Sequence, residues 1–498
     1  MSRTLMVQGT ASGVGKSLLT AGLCRLYARR GLRVAPFKAQ NMSNQAAVTP
    51  EGGEIGRAQA VQAEAAGVAP HVDMNPILLK PEGMLRSQVI LRGRSIGRMS
   101  FRAYHTRRDE LTQAIRASLA RLRSDHDLIL IEGAGSPAEI NLRDRDLVNM
   151  WVAREAEAPV VLVGNIDPGG VFAQLVGTLA LLSETDRARV AGTVINQLRG
   201  DPTLLAPGLR ELEDRTGIPC LGVVPILPAH GIDEEDGVGR RSLRRAGPGE
   251  IEVAVVALPH LSNFDDARGF EEEHGVVLRV TDNARELLGA DLVIVPGSKK
   301  TRRDLAWLRE RGIDRALAAR AAQGELVVGI CGGCQMLGEH IDDPEGAEGP
   351  PGEAEGLGLL PGVTRFAREK RTERVLRRPN ALRTLVPGVG EEDLSGYVIH
   401  HGRFDAEGDG AFTGPRGERD GAVRGSVVGT MTHGILANPG LRRALLQTLA
   451  ARRGLPPRSE APGPPTPSDR YDRLADHLAA HLDVAALDGL VGLVGLGG

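Results

Sequence analysis

The sequence predicts an α/β protein built from two tandem domains, each a mainly parallel sheet flanked by helices. Three observations carry that expectation. Short apolar strands alternate with helical stretches in both halves of the chain. The first strand runs into a glycine-rich loop, Gly9–Ser17, that feeds a helix, and a later apolar strand ends in a tight cysteine–glycine turn at Gly329–Gln335. At 498 residues the chain exceeds one ordinary core, and about two to four domains are expected of that length.

In the first half the predicted strands are Thr4–Gly9, Leu32–Lys38, Asp127–Gly133, Pro159–Ile166, Val190–Asn196 and Leu221–Ile226. The stretches between them are long enough for crossover helices, the pattern of a doubly wound parallel sheet. Apolar periodicity stops in EEDGVGRRSLRRAGPGE, which reads as a linker over residues 233–250. A second series follows: Ile251–Leu258, Val276–Val280, Asp291–Val295, Glu325–Ile330, Tyr397–His400 and Ser426–Thr430, with a loop excursion expected through Asp342–Gly356. The expected division is therefore 1–232, a linker, 251–455, and a tail 456–498. In that tail the Pro-rich spacer PPRSEAPGPPTPSDR precedes an amphipathic helix from about Arg470 to Leu482.

Composition narrows the function classes. The chain is 41% hydrophobic and 25% charged with a formal net charge of -2. That balance gives no electrostatic footprint for nucleic acid or a membrane surface. Aromatics at 3% supply few base-stacking platforms. No apolar run reaches the roughly 18 residues of a bilayer span, and MSRTLMVQG leads straight into the glycine-rich loop, so it does not read as a removable leader. Four cysteines in so long a chain do not make a disulfide scaffold. A cytoplasmic enzyme is expected.

GTASGVGKS lies between a strand and the helical run SLLTAGLCRLYARR, the context that a phosphate-binding loop needs. Glycines let several backbone N–H groups point at one anion, and the helix N-terminus adds positive potential. Lys16 would reach the β- and γ-phosphates of ATP and the Ser17 hydroxyl would bind Mg2+. The loop is one residue longer than the common spacing, with Thr10 after Gly9, but Gly13-Val14-Gly15-Lys16-Ser17 is intact. A carboxylate must help to hold the metal. Glu132, at the carboxyl end of DLILIE, is the first candidate because ligands bind at that end of open α/β sheets; Asp167 is the weaker one.

ELVVGICGGCQMLGEHI reads as strand, tight turn and helix, which resembles the nucleophile elbow of hydrolases with sulfur in place of oxygen. Cys331 at a helix N-terminus gains thiolate character, N–H groups near Gly332 and Gly333 would hold an oxyanion, and the thiolate would attack a glutamine side-chain carbonyl. Cys331 and Cys334 also form a C-x-x-C, but zinc would want a second ligand pair and a redox motif a smaller βαβ domain; Cys334 reads as a packed thiol. His400, His401 and His433 are the candidate bases downstream.

These stretches, with FKAQNMSNQAAVT, DMNPILLKP, EGAGSPAEINLRDRDLVNM, LPHLSNFDD and PGSKKT, resemble those of the cobyric acid synthases of adenosylcobalamin biosynthesis. The first part is also similar to dethiobiotin synthetase and other P-loop NTPase-like domains, and the second to class I, triad-type glutamine amidotransferases. The resemblance implies amidation of the b, d, e and g carboxylates of adenosylcobyrinic acid a,c-diamide, using ATP, Mg2+ and L-glutamine, through an acyl phosphate attacked by ammonia from the second domain. It implies Cys331 as nucleophile and His433 as base. Gly9, Thr10, Ser12, Gly13, Val14, Gly15, Lys16, Ser17 and Asn196 are the implied nucleotide site, and Ser17 and Glu132 the metal site. Lys38, Gln40, Asn41, Ser43, Asn44 and Asp146 face the substrate in this reading, with Arg143, Asp144 and Arg145 beside them.

Some positions depart from the family pattern. An expected D-x-D-R-G-G reads Asn165-Ile166-Asp167-Pro168-Gly169-Gly170, and the Glu expected two residues after the histidine is Ile435. The expected catalytic group is therefore a dyad without a third member. Two other functions compete: the sister cobyrinic acid a,c-diamide synthase, which NMSNQAAVT and INLRDRD disfavour, and a partner-binding P-loop switch ATPase, for which the cysteines would be dispensable.

Overall fold

The apolar run of strand Arg3–Gly9 is buried along nearly its whole length, as expected where a parallel sheet is covered on both faces. The computed structural model describes residues 2–82, 85–228, 230–232, 244–458 and 466–493. It divides into two units, Met1–Asp236 with Pro465–Gly498, and Gly237–Pro464. Much of the expected linker, residues 233–243, and residues 459–465 of the Pro-rich spacer lie outside the described residues. Among the described residues no helix is long and apolar enough to cross a membrane.

The first unit is built on six parallel strands in the order Cys220–Pro225, Val190–Leu198, Val160–Asn165, Arg3–Gly9, Leu128–Glu132, Val34–Phe37. The strand carrying the glycine-rich loop is central and pairs on one side with the strand that ends in Glu132. Both strands deliver their carboxyl ends to one crevice, so Gly9 and Glu132 meet there. A second, four-stranded sheet, Gln40–Met42, Ile77–Pro81, Arg86–Leu91 and Arg94–Ser100, grows from the segment after Phe37. Its strands had not been expected.

Helix Lys16–Arg29, which follows the glycine-rich loop, packs against helix Pro467–His481. Leu19, Leu23 and Tyr27 share a buried cluster with Tyr471, Leu474 and Leu478. Arg25 pairs with Asp472 at 2.9 Å and Arg29 with Asp476 at 2.6 Å along the seam. A Thr466–Asp469 capping box starts the later helix, which satisfies its first N–H groups.

The second unit has its own sheet, in the order Val276–Thr281, Ile251–Val256, Leu292–Val295, Leu326–Ile330, Val427–Thr430, Ala422–Arg424. All neighbours are parallel except the last pair. The expected strand Tyr397–His400 is part of Leu394–Asp405, and it joins a different sheet. It forms a long antiparallel ladder with Val363–Pro379, a strand whose charged alternation had concealed it. The loop excursion expected through Asp342–Gly356 overlaps the end of strand His340–Asp343 and contains its antiparallel partner Gly352–Glu355.

Candidate functional site

In the first unit the loop after Gly9 turns through Gly13 and Gly15 at φ of 71° and 89°. Gly15 is required twice over: its φ favours glycine, and a Cβ there would collide with the amide of Asn196. Asn196 donates to the Val14 carbonyl at 2.9 Å and so braces the loop from strand Val190–Leu198, two places away in the sheet. Thr10 shares a hydrogen bond with Gln174 at 3.2 Å, while Ser12 is exposed at the tip. Lys16 folds back over the loop, donating to Ala11 O at 2.9 Å and to Gly135 O at 3.2 Å.

Ser17 Oγ donates to Glu132 Oε1 at 2.7 Å. Lys38 Nζ lies 2.9 Å from the same oxygen and Gln62 Nε2 donates to Oε2 at 2.5 Å. Burial alone would push the Glu132 carboxyl up, but Lys38, Gln62 and Ser17 outweigh it and hold the group below the usual carboxylate range. A hydroxyl and an ionised carboxylate in contact are hard oxygen donors of the kind Mg2+ takes alongside phosphate and water, so these residues fit the metal. Asp167 instead pairs at the surface with Arg199 at 2.6 Å.

The substrate loop divides. Gln40 Oε1 accepts the Tyr104 hydroxyl, Asn41 donates to Gln59 at 2.9 Å inside the core, and Ser43 Oγ accepts from Gln45 N at 3.0 Å. Asn44 keeps a buried Oδ1 that no described group bonds. Asp146, expected at the substrate, has local backbone partners. Its carboxylate accepts the N–H groups of Val148, Asn149 and Trp151 at 2.8–2.9 Å and ties down the turn that leads into helix Met150–Glu155. It positions this loop and stays half-exposed.

In the second unit Cys331 sits between strand Leu326–Ile330 and helix Gly332–Leu337 at φ 50°, ψ −108°. A non-glycine residue so placed stores about 1–3 kcal/mol, and the turn points the sulfur out of the elbow. Glycine is sterically necessary two residues on: a Cβ on Gly333 would collide with the carbonyl of Val295. His433 is close enough to the Cys331 sulfur for the two groups to interact electrostatically. Its ring stacks on Tyr397 at 5.4 Å, and its backbone N–H and C=O pair with those of Tyr397 at 2.8 and 3.0 Å. Asp420 accepts from Met431 N at 3.0 Å and Thr432 Oγ1 at 3.1 Å, which holds the approach to His433.

The expected dyad is incomplete, because His433 has an acidic partner. Asp266 Oδ2 lies 2.7 Å from His433 Nδ1, and Oδ1 accepts the Gly434 N–H at 2.6 Å. Both side chains are buried, at 1% and 2% exposure. Burial alone would lower the imidazole's pKa, but the Asp266 carboxylate and the Cys331 sulfur hold it well above its ordinary range. The carboxylate fixes Nδ1 as the protonated nitrogen and leaves Nε2 as the one for proton transfer. The signal was in LPHLSNFDD, where an acid near a strand end can reach a neighbouring strand's histidine.

Two further groups line this region. Gln335 accepts from Thr301 Oγ1 at 3.3 Å and keeps a buried Nε2 that no described group bonds. Thr301 also donates through N and Oγ1 to Glu348 at 2.7 and 3.0 Å. Desolvation pushes the Glu348 carboxyl up to about 7, partly opposed by Thr301. Of the other candidate bases, His400 is driven down to about 3 by burial and the nearby His433, so it is a neutral imidazole, while His401 turns to the carbonyls of Ala367 and Arg368. Cys331 and Cys334 are both free thiols, and burial pushes Cys334 up. Among the described residues no cluster of three or more His, Cys, Asp or Glu could hold a metal.

Asp266→Asn is expected to lower glutaminase turnover by roughly 10²–10⁴-fold, since an amide cannot both fix the tautomer and stabilise the imidazolium. The sign for pH follows from the same contact. Asp266 raises the imidazolium's pKa, so its loss moves the alkaline limb of the kcat/KM profile to lower pH. A fall in amplitude with the limb unmoved would show a merely structural lesion.

Residues 5–236 match the model of the CobQ/CobB/MinD/ParA nucleotide binding domain, and residues 252–441 that of the CobB/CobQ-like glutamine amidotransferase domain. The cobyric acid synthase of Sorangium cellulosum is 56% identical over 513 residues, covering 98% of this chain and 99% of the relative. That of Desulforudis audaxviator is 51% identical over 503 residues, covering 99% and 100%. A solved glutamine amidotransferase structure covers 40% of this chain and 98% of its own, at 21% identity and a TM-score of 0.31.

Proposed function

Because the chain belongs to the cobyric acid synthase family, whose members are glutamine-dependent ligases, we propose that it amidates the b, d, e and g carboxylates of adenosylcobyrinic acid a,c-diamide to adenosylcobyric acid with ATP and glutamine. One observation carries the reading: Cys331, His433 and Asp266 converge in one unit, and Lys16, Ser17 and Glu132 in the other. The first set releases ammonia and the second activates a carboxylate.

In the glutaminase half, Cys331 attacks the side-chain carbonyl of glutamine, and the N–H groups of Gly332 and Gly333 take the developing oxyanion. His433 gives its proton to the leaving ammonia and then takes one from the water that cleaves the thioester. Glu348 and Gln335 recognise the amino-acid end of glutamine in this reading. The net change is glutamine and water to glutamate and ammonia.

In the synthetase half, backbone N–H groups of Gly13, Gly15 and Lys16 cradle the phosphates, and Lys16 draws charge from the γ-phosphoryl group. Ser17 and Glu132 would hold Mg2+, which neutralises phosphate charge when bound. Lys38 holds Glu132 ionised, and Asn44 offers an acceptor to the incoming group. The substrate carboxylate takes the phosphoryl group from ATP, ammonia displaces phosphate from the acyl phosphate, and an amide results.

Mass spectrometry of adenosylcobyrinic acid a,c-diamide incubated with enzyme, MgATP and glutamine tests this directly. Four successive acid-to-amide steps, each requiring ATP, are expected. Turnover of cobyrinic acid instead would assign the sister reaction, and ATP hydrolysis with no mass change would favour a switch ATPase.

A further inference from the structure

The first unit carries an apolar rim that its own core leaves uncovered. Met42, Phe101, Ile140 and Leu142 are 58, 50, 58 and 39% exposed. They are far apart in sequence, but the fold gathers them. In the four-stranded sheet Met42 registers with Leu79, Leu79 with Val89, and Val89 with Gly97. The first and last of these strands run the same way, so Met42 and the Ser100–Phe101 junction lie toward one end of the sheet, about 17 Å apart: about 14 Å across three strand spacings and about 10 Å along the last strand from Gly97 to Ser100. Arg145 then stacks over the Phe101 ring at 5.3 Å, which brings the turn Ile140–Arg145 and its two exposed apolar side chains to the same end.

This rim adjoins the nucleotide crevice. Met42 is four residues beyond Lys38, which bonds Glu132, and Ile140 is five beyond Gly135, whose carbonyl accepts from Lys16. Four or five residues reach at most about 18 Å. The rim carries both signs: Arg143 and Arg145 stand beside Glu139 and Asp144, and the exposed Arg102 next to Phe101 tips the balance positive, while Asp146 accepts local backbone N–H groups. A monomer seldom leaves large apolar side chains grouped beside arginines without a ligand or partner for them.

We propose that this rim is the docking surface for the corrinoid. A broad macrocycle with an apolar face and carboxylates on its edge matches apolar side chains spread over this span with guanidinium groups among them, and its edge would reach the crevice where phosphoryl transfer is placed. Met42, Phe101, Ile140 and Leu142 meet the ring face, and Arg143 and Arg145 meet carboxylates not undergoing reaction. Contact with the shared ring, rather than with one side chain, lets several carboxylates be presented in turn to one crevice. The inference rests on the amidation reading above and deepens it.

The test compares the full-length enzyme with Phe101→Ser, with the pair Ile140→Ser and Leu142→Ser, and with the pair Arg143→Glu and Arg145→Glu. Affinity for adenosylcobyrinic acid a,c-diamide is read by ultrafiltration and corrin absorbance, KM and kcat are measured with the same substrate, and MgATP affinity checks the fold. Each set is expected to raise Kd and KM for the corrinoid roughly tenfold or more with kcat little changed, and the arginine pair is expected to flatten the salt dependence of binding. Wild-type affinity retained in all three sets would overturn the rim while leaving the amidation reading intact. A wild-type enzyme that neither binds nor amidates the corrinoid would overturn both. Loss of a dimer in sedimentation, with corrinoid affinity unchanged, would reassign the rim to contact between copies of this chain.

Discussion

Cys331→Ser is expected to abolish glutamine-dependent amidation, by roughly 10³-fold or more, while amidation with ammonium salts continues near the wild-type rate. The thiolate is the group that bonds to the glutamine carbonyl, and a hydroxyl in its place is a far weaker nucleophile at neutral pH. Loss of a nucleophile typically removes most of the rate that its whole catalytic group supplies. The substitution is nearly isosteric, and the strained φ of 50° is tolerated no worse by serine than by cysteine. Nothing in the nucleotide crevice depends on the sulfur, so externally supplied ammonia bypasses the lesion. Parallel assays with glutamine and with ammonium chloride check it; retention of glutamine-dependent turnover would refute the amidotransferase mechanism.

The complementary result is expected of Lys16→Ala. Amidation should fall by roughly 10²–10³-fold with either nitrogen source, because a charged donor aimed at the transferring phosphoryl group is lost. Glutamine hydrolysis at Cys331 should remain measurable. Lys16 also tethers the carbonyls of Ala11 and Gly135, so Lys16→Arg separates charge from tethering: an arginine keeps the charge but places its planar fork differently. Activity restored by arginine would make charge alone sufficient, whereas continued loss would require the lysine's point contact. Rapid-quench detection of ADP formation, with and without glutamine, reads the step affected.

Both nucleophile and phosphate loop were legible because each is local. A strand, a few glycines and a helix start are contiguous in the sequence, and their chemistry follows from the turn they must make. The strands of both parallel sheets were legible for a related reason: burial on both faces writes them as uninterrupted apolar runs. Asp266 was not legible as a partner, because 167 residues separate it from His433 and the family pattern puts the third member two residues beyond the histidine, where Ile435 stands. The partners of Asp146 were hidden for a local reason. A carboxylate in a charged loop beside a strand end gives no sign in the sequence of the backbone N–H groups that it accepts. The sheet holding Met42 and Phe101 escaped because its strands run from only three to seven residues, too short for alternation to emerge. The strand Val363–Pro379 escaped because charged side chains alternate along it with few apolar ones.

The seam between helices Lys16–Arg29 and Pro467–His481 has a consequence for biosynthesis. The unit that binds the nucleotide is discontinuous, and the other unit is inserted between its parts. When the first 236 residues leave the ribosome, Leu19, Leu23 and Tyr27 still lack the side chains that will cover them. The inserted unit must be translated before Tyr471, Leu474 and Leu478 arrive, a delay on the order of ten to fifty seconds at ordinary elongation rates. During that interval the glutaminase half can complete its core while the phosphate-loop helix keeps an apolar flank open. Maturation therefore runs against the order of the genetic message: the later-encoded half can be finished first, and the earlier one waits for its last helix.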